Sequence, residues 1–188
     1  MNKFTLKNDI YLRARAALGK RNLILVGLMG AGKTVIGQKI AGLLEIPFID
    51  TDHEIESVSS MTIVELFNKY GENEFRALEA RVIKRILQDS PYIVATGGGA
   101  FINEESRSYI KKGGICLWLK ADLDLLWKRV KKRNNAPLLK TDNPKETVRE
   151  LMQVRYQIYE QADIVMQSLD LPKEEMADKI IEKIVSFN

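Results

Sequence analysis

A three-layer α/β fold, one parallel sheet with helices on both faces, is predicted from two patterns in the chain. Short apolar runs alternate with longer stretches whose apolar residues recur at helical spacing, and parallel strands need such a crossover helix between each pair. The first run also feeds a glycine-rich loop that opens at once into a helical pattern.

Leu23-Ile24-Leu25-Val26 is the first strand, ending at Gly27. Val35, Ile36, Ile40, Leu43 and Leu44 then mark a helix over Gly32 to Leu44. Pro47-Phe48-Ile49 is the second strand and runs into Asp50-Thr51-Asp52, followed by helical patterns at 53–58, 62–70 and 72–88. Tyr92 to Ala95 is the third strand, closed by Thr96 and three glycines. Ile115 to Leu119 is the fourth, with a helix from about Asp122 and a basic stretch at 131–135 after it. Asp163 to Met166 is the fifth strand, and a helix from Lys173 to Ser186 ends the chain. Ligands of such sheets sit at the carboxyl ends of the strands, so Gly27 onward, Asp50 to Asp52 and Gly97 to Gly99 are expected to meet in one site.

With 188 residues, 45% of them apolar, the chain suits one core, read as a single domain over 23–188 behind a basic extension at 1–22. The absence of an apolar run of membrane length argues against a spanning helix. The net charge of +4 is local, because Lys3, Lys7, Arg13, Arg15, Lys20 and Arg21 face only Asp9 in that extension, which leaves the remainder at −1. This is a poor footprint for nucleic acid. Ile10, Ala14, Ala17 and Leu18 recur at helical spacing, so the extension reads as an amphipathic helix on the domain edge, with a targeting peptide as the alternative. Cys116 stands alone among apolar neighbours and reads as a buried strand thiol.

Gly27-Leu28-Met29-Gly30-Ala31-Gly32-Lys33-Thr34 has the spacing of a phosphate-binding loop between strand and helix. Its glycines let backbone N–H groups turn toward phosphates, the helix N-terminus adds partial positive charge, Lys33 reaches β and γ oxygens, and Thr34 offers a hydroxyl to Mg²⁺. Asp50 and Asp52 leave the second strand two residues apart. If the extended pattern persists, both point to one side, one to hold a magnesium-bound water and the other to orient or deprotonate a hydroxyl; a cap on the next helix by Thr51 or Asp52 is the other reading. His53, the one histidine, is expected at the surface. Three successive glycines are costly in chain entropy and suit a loop that a substrate approaches closely.

Together these stretches resemble the shikimate kinases, a branch of the nucleoside-monophosphate kinase-like P-loop folds. The likeness runs from about Leu23 to Asp163 and rests on GLMGAGKT at 27–34, FIDTDHEIE at 48–56, GENEFRALE at 71–79, ATGGGA at 95–100, PLL at 137–139 and Arg155 with Tyr159. The resemblance implies a five-stranded parallel sheet in the order 2-3-1-4-5, a mobile substrate-binding region at about 51–80 and a lid at about 131–143. It implies transfer of phosphate from ATP to the 3-hydroxyl of shikimate in the chorismate pathway to aromatic amino acids, with Mg²⁺. A cytoplasmic setting is expected from the absence of a secretory signal and the need for ATP, with a monomer and no nucleic-acid or membrane partner expected as well. Lys33 and Asp52 would be catalytic. Gly30, Ala31, Gly32, Lys33, Thr34, Val35 and Arg129 would bind ATP, Arg129 beside the adenine. Asp52, Arg76, Gly97, Gly98, Gly99, Arg155, Phe67 and Phe75 would bind shikimate, with Arg76 and Arg155 on its carboxylate, while Thr34 and Asp50 would hold the metal shell.

Two positions depart from the family pattern. The lid motif normally reads Arg-Pro-Leu-Leu, and Ala136 stands at the arginine here, which leaves Lys132, Arg133 or Lys140 to supply a lid cation or the activity to be reduced. Gln157 stands where a proline usually follows Arg155 by two residues. A sister kinase such as a gluconate kinase, and a nucleotide-binding module with impaired catalysis, are the rival readings.

Overall fold

The computed structural model describes residues 3–89, 91–131, 137–139 and 141–187. Its centre is a sheet of β1 (Asn22–Val26), β2 (Phe48–Asp50), β3 (Ile93–Ala95), β4 (Gly114–Lys120) and β5 (Ile164–Gln167). All pairings are parallel and the order is β2-β3-β1-β4-β5, as the resemblance implied. β1 lies at the centre with Leu25 opposite Ala95 on one side and Leu117 on the other, and every β1 residue is buried. A strand covered on both faces can be apolar without alternation, which is why this run carries no period of two.

The helices are α1 (Lys3–Leu18), α2 (Lys33–Leu44), α3 (Thr51–Ser59), α4 (Ile63–Gln88), α5 (Glu104–Gly113), α6 (Leu123–Val130), α7 (Pro144–Tyr159) and α8 (Lys173–Val185), with a short 3-10 turn at Pro137–Leu139. One group is α1, α2 and α8 packed together; a second is α3, α4 and α5; α6 packs on α7. α1 buries Ala14 and Leu18, and its Lys7 and Tyr11 both bond Asp178 of α8. Among the described residues no helix is long and apolar enough to cross a membrane.

Thr62 and Glu65 form a reciprocal capping box that starts α4. Gly71, at φ 79° and ψ 174°, breaks that helix between the two patterns the sequence separated there. α5 and α7 are not marked in the sequence reading. α5 buries only Ser106 and Ile110, too few apolar positions to show a period, and α7 interrupts its inner face with buried Arg155. Polar caps announce both, Asn103 accepting from Ser106 N–H and Asn143 from Glu146 N–H. Of the expected lid, Lys132, Arg133, Ala136 and Lys140 lie outside the described residues.

Asn22 pins the starts of the two strands that flank β1. It is fully buried, its Oδ1 accepts from Tyr92 N–H at 2.8 Å, and its Nδ2 donates to Gly113 O at 2.8 Å. Asn22→Ala removes both bonds and leaves a part-buried N–H and a part-buried carbonyl without that partner, so urea unfolding should show a loss of about 1–3 kcal/mol.

Candidate active site

The loop from Gly27 to Gly32 joins β1 to α2. Gly32 caps α2 at φ 100°, in the left-handed region that a side chain disfavours. Lys33 is buried, and its ammonium folds back to donate to Gly27 O at 2.8 Å and Leu28 O at 3.0 Å. Gly30, Gly32, Lys33, Thr34, Val35, Asp50 and Asp52 line one cavity of about 100 Å³. Ala31 is buried behind it, its carbonyl accepting from the Ser168 hydroxyl at 2.9 Å.

The two aspartates differ from the extended pair that the sequence suggested. β2 stops at Asp50 and α3 begins at Thr51, so Asp50 is the helix cap and its Oδ1 accepts from Asp52 N–H at 3.0 Å. The other Asp50 oxygen accepts from Thr34 Oγ1 at 2.8 Å. Thr51 does not cap; it is buried and takes a bond from Gly97 N–H at 3.1 Å. Asp52 sits in the first turn of α3, and burial together with the nearby Asp50 charge pushes its carboxyl up to about 6. His53 is exposed.

Asp52 also lines a second cavity of about 150 Å³, shared with Phe67, Phe75, Arg76, Glu79, the three glycines, Leu138 and Arg155. Arg76 donates to Glu79 Oε2 at 2.7 Å and to Glu72 at 3.1 Å, and its guanidinium lies 5.1 Å from the Phe75 ring and 5.8 Å from the Phe67 ring. The two phenyl rings are 4.5 Å apart, so they support the arginine as well as the cavity wall. Arg155 comes from α7 and donates to Gly98 O at 3.0 Å, and burial lowers its pKa. The Gln157 that departs from the family pattern leaves Arg155 inside an uninterrupted helix.

Glu79 was not singled out from the sequence, where it reads as one more charge in a polar helix. It is fully buried, its Oε1 has no partner among the described residues, and burial pushes its carboxyl up to about 6. Tyr159, quoted only as part of a motif, donates to the same Gly98 carbonyl as Arg155 at 2.5 Å.

A third cavity of about 410 Å³ opens on the far side of the phosphate loop, lined by Gly30, Gly32, Val35, Arg129, Leu169, Leu171 and Met176. Arg129 donates to Gly30 O at 3.2 Å and to Leu169 O at 2.9 Å across its mouth. The three cavities adjoin in series through shared lining residues, Gly30, Gly32 and Val35 between the partly apolar one and the phosphate loop's, and Met29, Asp52 and Gly98 between that and the charged one. Such a channel suits a nucleotide facing a small anion, with Asp52 at the point where they meet.

The shikimate kinase family model matches residues 29–185. The chain is 61% identical over 181 residues to the shikimate kinase of Rhizobium leguminosarum bv. trifolii (strain WSM2304), covering 96% of this chain and 92% of that one. It is 57% identical to the shikimate kinase of Rhizobium meliloti (strain 1021), covering 92% and 90%. Among solved structures, shikimate kinase from Acinetobacter baumannii in complex with shikimate superposes with a TM-score of 0.88 at 35% identity, over 92% of this chain and 97% of that one. A gluconokinase from Sinorhizobium meliloti 1021 reaches a TM-score of 0.54 at 15% identity over 89% and 92%, a likeness of fold alone.

The raised carboxyl of Asp52 has a consequence for stability. A folded-state pKa of about 6, above the ordinary aspartate value of 3.8, means that the folded protein holds a proton the unfolded chain has released between those values. Stability from this group is therefore full below pH 4 and lost as pH rises toward 6. Asp52→Asn removes the ionisation, so denaturant melts should show it gaining on the unmodified protein by about 1–3 kcal/mol from pH 4 to pH 7.

Proposed function

The chain belongs to the shikimate kinase family, and we propose that its channel transfers the γ-phosphoryl group of ATP to the 3-hydroxyl of shikimate, giving shikimate 3-phosphate and ADP. The observation that carries this reading is that Asp52 lines both the phosphate cavity and the charged pocket. A carboxylate at that junction lies within reach of a hydroxyl held on one side and a phosphate held on the other.

The pocket selects a compact acid. Arg76 and Arg155 line it from different helices, and a pair of planar guanidinium forks favours a carboxylate over a neutral sugar. Glu79 Oε1 and Asp52 Oδ1 crowd the face of Gly97, where they would accept bonds from ring hydroxyls. Phe67, Phe75 and Leu138 supply apolar wall for the ring. At neutral pH Asp52 is ionised and can accept the proton of the attacking hydroxyl, and its raised pKa makes it a better base than an ordinary aspartate.

On the other side Lys33 would exchange its bonds to Gly27 and Leu28 carbonyls for phosphate oxygens, and the N–H groups at the start of α2 would hold the remainder of the phosphate charge. Thr34 Oγ1 and Asp50 Oδ2, two hard oxygens already 2.8 Å apart, fit the protein share of a Mg²⁺ shell completed by water and phosphate. When bound, that ion supplies charge neutralisation for the phosphates. Val35 and the Arg129 side would take the ribose and base. A cytoplasmic monomer using ATP is the setting we assign.

ADP release from ATP and Mg²⁺ should depend on shikimate and not on gluconate, and shikimate kcat/KM should rise with pH through about 6 as Asp52 ionises. Asp52→Asn should lower kcat by about 100-fold or more, the scale of a lost general base. Equal release with either acceptor, or with Asp52→Asn, would remove this reading.

A further inference from the structure

Ser168 directly follows β5 and is 1% exposed, buried behind the phosphate loop. Its Oγ donates to Ala31 O at 2.9 Å and accepts from Arg129 Nη1 at 3.1 Å. Its own N–H donates to Lys120 O at 2.6 Å, which fixes the residue to the end of β4. One short side chain therefore ties the sheet edge to the phosphate loop and to the arginine at the mouth of the largest cavity of the channel.

The peptide between Ala31 and Gly32 is planar and trans, so its C=O and N–H point in opposite directions. By holding the Ala31 carbonyl, Ser168 holds the Gly32 N–H pointing away from itself, and Gly32 lines the phosphate cavity. Gly32 carries no Cβ to restrict its backbone, so little else in the residue itself fixes this plane. The same hydroxyl accepts from Arg129 and sets the tilt of the guanidinium, which also donates to Gly30 O, to Leu169 O and, at 3.4 Å, to the Ala31 O that Ser168 holds.

We propose that Ser168 is a positioning residue for nucleotide binding, aiming the Gly32 N–H at phosphate and holding Arg129 across the base cavity. The inference rests on the assignment of ATP to this channel. It predicts a defect confined to the nucleotide, because Ser168 reaches the phosphate loop and Arg129 but none of the residues assigned to the acid.

ADP with Mg²⁺ provides the test, since its binding needs no acceptor. Calorimetric titration should show Ser168→Ala binding ADP about tenfold more weakly than the unmodified protein, the scale of one or two lost buried hydrogen bonds. The KM for ATP should rise in step while that for shikimate stays within about twofold, and Ser168→Thr, which keeps the hydroxyl, should restore both. Ser168→Cys, with its weak donor, carries the same test if the alanine variant does not fold. Unchanged ADP affinity, a proportional rise in both KM values, or failure of threonine to restore binding would overturn the proposal. Absence of ADP binding by the unmodified protein would instead overturn the assignment of ATP, and this proposal with it.

Discussion

The close approach of three charged side chains to the bare backbone at Gly97 to Gly99 is the constraint on which the site depends. A Cβ on Gly97 would stand 2.6 Å from Glu79 Oε1 and 2.7 Å from Asp52 Oδ1, and one on Gly99 would stand 2.3 Å from Arg76 Nη2. The Gly98 carbonyl accepts from both Arg155 and Tyr159. Residues from α3, α4 and α7 thus gather on one strand end because no side chain keeps them apart. The entropy cost of three successive glycines is offset by a pocket in which two carboxylates and two guanidinium groups can be packed around a small ligand.

That packing also accounts for the electrostatics. Burial raises both carboxyls, while Arg76 and Arg155 act against the rise at Glu79 and Lys33 and Arg76 act against it at Asp52. The unpartnered Glu79 oxygen is an expensive feature for a purely structural residue and a useful one for a residue that meets a hydroxyl. Stability and function pull apart here, since the ionised form of Asp52 that we propose as the base is the form the fold disfavours.

Much of the arrangement was legible in the sequence because its signals are local. An apolar run, a glycine loop and a helical period give β1, the phosphate loop and α2 directly, and Gly71 separates the two patterns of α4. The strand order came from the likeness of motifs, since spacing alone does not order strands. What stayed hidden depends on tertiary contact. Glu79 looks like any glutamate on a charged helix until Gly97 and Arg76 close over it, and Ser168 looks like a loop serine until the Ala31 carbonyl reaches it. α5 and α7 lack an apolar period because one buries only Ser106 and Ile110 and the other buries an arginine. The extended placement of Asp50 and Asp52 does not hold because β2 ends at Asp50 and α3 begins at Thr51, which makes Asp50 the cap and puts Asp52 in the first turn.

Calorimetry on Gly97→Ala tests most directly whether the glycine turn is the seat of the acid. The backbone of that residue tolerates alanine, and the atoms nearest the added methyl are those of Glu79 and Asp52. Shikimate affinity should fall by about 100-fold, as two displaced charge-assisted contacts imply, while ADP affinity stays within about twofold. Undiminished shikimate binding would contradict the account, because it would place the acid away from these carboxylates.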